Sequence, residues 1–304
     1  MFMRLGMAWA LLACASIVSA AEVSLKLKYP PNTKRTVQIE QKSEQVLTIG
    51  PQDVETKSST FMVQNQVIGP KQPNGSVEIV EKIEVLQNEL NLPGGLTFQF
   101  DSANPDKAAS NPLLEPVAKL LRISLKTPVT VVVDAEGKLD AVKIPESAVN
   151  EVDEDFRSML DPEKRTKAAK KALEFLPSKP VKTGESWDQT VDADIGAGQT
   201  LTITSTLTYQ GEVDVNGKKL HKITHKPKEV SYFMDPNSKS PLKVTNSELK
   251  PTEGEGEILF DAEAGDVVER KASMRIQGKL DLEFGGQQLP GKLDLRLSDK
   301  TTHR

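Results

Sequence analysis

From Ala272 to Phe284 every even position is apolar or small: Ala272, Met274, Ile276, Gly278, Leu280, Leu282 and Phe284. The odd positions are Ser273, Arg275, Gln277, Lys279, Asp281 and Glu283. A period of two over that length is the signature of an extended strand with one dry and one wet face. At ~3.3 Å per residue it predicts roughly 43 Å of continuous strand. A strand so long and half-wet belongs in an antiparallel sheet, because parallel sheets bury both faces. Gly285-Gly286 then turns the chain, and Leu293, Leu295 and Leu297 resume the alternation.

The same pattern recurs. Leu201, Ile203, Leu207 and Tyr209 alternate with threonines, and Asn216-Gly217 is a hairpin signal. Near the start, Val23, Leu25, Leu27 and Tyr29 share one parity and predict a half-buried strand. Val37, Ile39, Leu47 and Ile49 predict a second strand, Phe61 and Val63 a third, and Pro73-Asn74-Gly75 a hairpin. Leu96, Phe98 and Phe100 predict a short strand. Val129 to Val133 predict another, partnered from Val142.

Two stretches depart from β. Leu113, Leu114, Val117, Leu120 and Leu121 have helical spacing behind Pro112. Residues 145–175 are rich in Glu, Lys and Ala, and Asp161-Pro162 reads as an N-cap followed by proline in the first turn. That last helix is expected to bury Ala168, Ala172 and Phe175. Pro177 stops it and Pro180 keeps the link extended. Trp187 follows and is expected to anchor the join between helix and sheet.

The predicted fold is therefore mainly β with a helical insert, a β-rich α+β chain of long antiparallel strands. Two architectures fit: two related β halves, or one curved sheet packed on helices. The segments are 1–21, a signal peptide; 22–144, an N-terminal β-rich half with a short helix near 113–121; 145–180, a helical connector and link; and 181–304, a C-terminal antiparallel β half. Val131-Val132-Val133-Asp134-Ala135-Glu136-Gly137 is echoed by Ile258-Leu259-Phe260-Asp261-Ala262-Glu263-Ala264-Gly265. The echo fits a duplication, and it equally fits the local needs of a turn.

The leader sets the expected address. Arg4, an apolar run from Leu5 to Val18 and Ser19-Ala20-Ala21 form an export signal, too short to span a bilayer comfortably. Leu11-Leu12-Ala13-Cys14 also resembles a lipobox, so a lipid anchor at Cys14 is the alternative. Cys14 is the one cysteine, so the mature chain forms no disulfide. The 39 basic and 43 acidic residues are well mixed, which argues against nucleic acid and a polybasic membrane patch. Membrane β-barrels carry aromatic girdles, so an aromatic share of 5% argues against an integral barrel.

Few residues point to chemistry. His221 and His225 lie in a strand, roughly 13 Å apart on one face, too far for one ion. They and His303, in the C-terminal tail, read as surface histidines. Glu253-Gly254-Glu255-Gly256-Glu257 and Asp192-Ala193-Asp194 read as solvated loops without calcium-loop spacing. Glu151, Asp153, Glu154 and Asp155 read as the wet N-terminal side of a helix. No serine elbow, phosphate loop, zinc-protease helix or cysteine nucleophile is present. No catalytic, cofactor-binding or metal-binding residue is assigned.

The stretch Leu176-Pro177-Ser178-Lys179-Pro180-Val181-Lys182-Thr183-Gly184-Glu185-Ser186-Trp187 resembles a motif of a bacterial family of unknown function, frequent in planctomycetes. The resemblance implies a secreted, β-rich protein of about this length, and carries no catalytic residues. The expected role is an exported, non-catalytic envelope protein that binds an envelope partner or apolar ligand or serves a structural role. The alternatives are a periplasmic carrier holding a lipid or lipoprotein in an apolar sheet concavity, and a hydrolase with an unrecognised carboxylate site. The carrier reading expects a cavity lined by Met274, Ile276, Leu280, Leu282 and Phe284.

Overall fold

The computed structural model describes residues 22–196, 198–235, 238 and 242–304. The leader, including Cys14, lies outside the described residues. Before the helical connector come β1 (Thr33–Ile49), β2 (Gln52–Ile68), β3 (Val77–Leu92) and β4 (Leu96–Asp101). Helix α1 (Glu115–Lys126) follows, then β5 (Val129–Val133) and β6 (Leu139–Lys143). The connector holds α2 (Glu146–Glu151), a 3-10 segment (Glu154–Leu160) and α3 (Pro162–Leu173). After it come β7 (Ser186–Gly196), β8 (Gln199–Val215), β9 (Lys218–Met234), β10 (Leu242–Asp261), β11 (Asp266–Phe284) and β12 (Gln287–His303).

All these strands belong to one antiparallel sheet, ordered β6-β5-β3-β2-β1-β12-β11-β10-β9-β8-β7, with β4 also on β3. Of the two expected architectures, the chain builds one sheet with helices packed on it. The first strand joins the last: β1 pairs with β12 from Val37–His303 to Ile49–Gly291. The alternation of 272–284 holds along β11, whose Ala272, Ile276, Leu280 and Leu282 are buried. Phe284 breaks it, lying exposed at the strand end.

The sheet folds over between β9 and β10. These two pair only from Gly256–His225 to Phe260–His221, although β10 spans twenty residues. Past that short seam the two sides face each other. Leu201, Ile203 and Val230 from one side pack on Ile276, Leu280 and Leu293 from the other. Burying such side chains contributes ~1.5–3 kcal/mol each.

Residues 253–257 belong to β10, which corrects the expected loop. A side chain at Gly254 would meet Pro227 and one at Gly256 would meet His225, so these glycines let the strands approach at the corner. Glu253 pairs with Arg275 and Glu257 with Lys222. Asp192 and Ala193 likewise belong to strand β7 and not to a loop.

The segment 22–32 is a second correction. Its alternating burial is present, with Leu25 fully inside, but it joins no ladder beyond one bridge, Val23 to Val181. It lies instead across the inner face, where Leu25 packs with Phe175, Leu207, Ile223, Ile258 and Phe260. The hairpin signals are accurate: Asn216 and Gly217 both have positive φ, as a two-residue turn with right-handed strand twist needs. The two echoed sequences also have a local reason. Asp134 Oδ1 accepts from Glu136 and Lys138, and Asp261 Oδ1 accepts from Glu263 and Ala264.

Helix α1 runs five residues past the expected end, to Lys126. Asp161 caps α3 as expected, its Oδ1 accepting from Lys164 N at 2.8 Å, with Pro162 in the first turn. Glu151 ends α2 and Glu154 opens the 3-10 segment, while Asp153 pairs with Lys119. Trp187 is half-buried and donates from Nε1 to the Phe175 carbonyl at 3.2 Å, tying β7 to the chain just past α3.

Candidate functional site

Helix α3 packs against both β6 and β7, the two edges of the sheet. On one side Val142 N donates to Thr166 Oγ1 at 2.8 Å. On the other, buried Gln189 donates from Nε2 to the carbonyls of Lys171 and Ala172, both at 3.1 Å. Lys171 also pairs with Asp192 at 2.5 Å, and Thr202 donates to the same carboxylate. These contacts hold Asp192 below the ordinary carboxylate range, the Lys171 hydrogen bond being the largest cause. The helix thus closes the gap that the sheet leaves open.

Beneath α3 lies a cavity of about 670 Å³. Its apolar wall includes Ile79, Ile83, Ile123, Val131, Leu139 and Phe175. Ala168 and Ala172 line it too, which corrects their expected burial: both are accessible to solvent. Small side chains leave space where leucines would fill it. No residue of α3 is buried, although the helix sits between two strands. Outside the same helix a shallower groove runs along the seam with β6, and Val142 borders both spaces.

One part of the wall is polar. Glu81 on β3, Gln66 on β2 and Arg35 on β1 stand directly opposite one another in register. Arg35 Nε donates to Gln66 Oε1 at 2.6 Å, and Gln66 Nε2 donates to Glu81 Oε1 at 2.7 Å. Arg35 continues to Asp266 on β11 at 2.9 Å, which His303 on β12 meets at 3.0 Å. The Tyr29 ring lies 5.5 Å from the same guanidinium, within cation–π range. A polar ribbon therefore crosses five neighbouring strands.

The charges in the ribbon differ by surroundings. Burial pushes the Glu81 carboxyl above its ordinary value, against Gln64, Gln66 and the arginines. Burial pushes Asp266 up as well, but the His303 and Arg35 contacts outweigh it and its pKa lies low. Arg165, on α3, lines the cavity; crowding protein strips its solvation and lowers its pKa, although the residue exposes surface. Of the cavity carboxylates Glu81, Asp192 and Asp266, only Glu81 is raised. A hydrolytic pair needs two facing acids with separated affinities for protons. Here Gln66 and Arg35 stand between Glu81 and Asp266.

The histidines depart from expectation. His221 and His225 are on strand β9; His221 is buried and His225 is partly buried, so neither is a freely exposed side chain. His221 is buried and shares a 2.8 Å hydrogen bond with the Tyr209 hydroxyl. His225 Nδ1 is buried without a partner, and desolvation together with Arg270 lowers its pKa to about 4. His303 belongs to β12, paired opposite Val37, and not to a loose tail. No group of three or more metal-ligating side chains occurs among the described residues.

The expected cavity lining was misplaced. Ile276, Leu280 and Leu282 close-pack in the folded-over sheet, not against a helix. The cavity sits at the other end of the strands, and its polar residues come from positions too far apart in sequence to pair by spacing.

No model of a known protein family matches the chain, and no curated protein matches it. Among solved structures, a lipovitellin described for its lipid–protein interactions aligns over 91% of this chain at 11% identity and TM-score 0.45. This chain spans 25% of that one. The outer membrane protein OprG of Pseudomonas aeruginosa aligns over 92% of this chain and 98% of its own at 6% identity and TM-score 0.23. At these scores neither likeness bears on ligand or activity. No helix among the described residues is long and apolar enough to cross a membrane.

Proposed function

We propose that this chain is an exported, non-catalytic envelope protein that holds a lipid-like molecule in the cavity beneath α3. The observation that carries this reading is the cavity itself: about 670 Å³, mostly apolar, and left open by alanines on the helix that covers it. Cavities that take small ligands commonly measure ~300–1,000 Å³ and pair apolar walls with a few placed polar groups. The polar ribbon supplies such groups. The export signal and the resemblance to a secreted family support the address.

The test uses a neutral fluorescent apolar probe, N-phenyl-1-naphthylamine, on the delipidated mature chain. Saturable binding at one probe per chain is expected, and the cavity-filling variant Ala172→Trp should abolish it. Native mass spectrometry of protein taken from its own envelope fraction should show an added mass that denaturation releases. Absence of saturable binding, or binding that Ala172→Trp leaves intact, would overturn the reading.

A further inference from the structure

We propose that the cavity selects a ligand with an anionic head on an apolar tail, the head held by Arg165 and Arg270. The inference rests on the ligand-binding reading above and specifies its chemistry.

Three arginines line the cavity. Arg35 is tied to Gln66 through Nε, to Asp266 through Nη1 and to the face of Tyr29. Arg165, from α3, and Arg270, from β11, are not. Neither side chain makes a hydrogen bond or an ion pair with another described residue. Each guanidinium carries five N–H donors and keeps its charge at any physiological pH.

The acceptors nearby are committed or make no hydrogen bond to these arginines: Asp299 attracts Arg270 across space only. Asp266 serves Arg35 and His303. Asp192 serves Lys171 and Thr202. Glu81 attracts Arg165 across space but takes its hydrogen bond from Gln66. The donors of Arg165 and Arg270 are therefore left to water or to a bound molecule. The planar guanidinium fork fits a carboxylate or phosphate with two parallel hydrogen bonds. The rest of the wall is hydrocarbon, so a lone inorganic anion would leave most of the cavity unfilled. A fatty-acid carboxylate and a lysophospholipid phosphate share the required chemistry.

Four probes decide the matter on the delipidated chain, measured by calorimetry: oleate, 1-oleoyl lysophosphatidate, oleyl alcohol and inorganic phosphate. At least one tailed anion should bind about tenfold or more tightly than the alcohol, as a charged hydrogen bond in a shielded site allows. The tighter anion identifies the head. Inorganic phosphate should bind far more weakly than either tailed anion. Arg165→Met with Arg270→Met should abolish the preference for the anions over the alcohol, read as the ratio of their affinities. Arg165→Lys with Arg270→Lys should recover part of the difference. The comparison among ligands uses the unaltered chain and does not depend on any variant folding. Equal binding of anions and alcohol would overturn the head assignment while sparing the cavity reading. Failure of all three tailed molecules to bind would overturn both.

Discussion

His225 should make this protein acid-sensitive in a defined window. Its ring sits at the β9–β10 corner against Gly256, with Nδ1 buried and unpartnered. Desolvation and the nearby Arg270 charge bring its pKa from 6.5 to about 4. Between these values the unfolded chain takes up a proton that the folded chain refuses. Stability from this group is therefore complete above pH 6.5, falls as pH drops, and levels off below about 4. At about 1.4 kcal/mol per pH unit the ceiling is about 3 kcal/mol, and partial exposure of the ring brings the expectation to about 2 kcal/mol. Glu81 and Asp299, both raised by burial, act in the opposite direction. The total curve thus mixes terms, and the informative quantity is a difference. Urea unfolding of the parent and of His225→Gln should be compared from pH 7.5 to 4. The parent should lose about 2 kcal/mol relative to the variant across that range. An NMR titration should place the ring near pH 4, and Arg270→Met should move it upward. Parallel stability curves for parent and variant would refute the argument.

Gln189→Leu keeps the side chain's bulk and removes two hydrogen bonds to the end of α3. It should cost ~1–3 kcal/mol in urea unfolding, with faster amide exchange confined first to α3; unchanged exchange there would mean that the helix is held by other contacts. Gly278→Ala places a methyl on the Glu248 carbonyl of the neighbouring strand, a backbone contact that no rotamer relieves. It should destabilise by more than ~2 kcal/mol, whereas Gly285→Ser, at an open turn position whose positive φ strains any L residue but where nothing clashes, should cost about 1 kcal/mol or less.

What the sequence disclosed divides along the range of the interactions. Alternation in β11, the Asn216-Gly217 turn and the Asp161 cap are local, and each was readable. The β9–β10 corner was not, because glycines that admit close strands look the same as glycines in a loop. Ala168 and Ala172 gave the wrong inference for a related reason. Alanine on the inner face of a helix serves tight packing or an open space, and only the opposing wall tells which. Glu81, Gln66 and Arg35 form a row only once three strands take their register. His225 carried no mark at all, since its partnerless nitrogen is a property of what surrounds it.

The pairing of β1 with β12 has a consequence for assembly. Thr36 N donates to the Arg304 carbonyl at 2.8 Å, and Arg304 N donates to the Thr36 carbonyl at 2.8 Å. The seam at the centre of the sheet therefore forms between two strands that lie far apart in sequence, β1 and β12. Closing so long a stretch of chain is entropically costly and slow. Until it happens β1 presents an open edge, the kind of surface that pairs with other chains. A protein built this way gains from staying extended until β12 has been delivered, and from a chaperone that shields the first hairpins meanwhile.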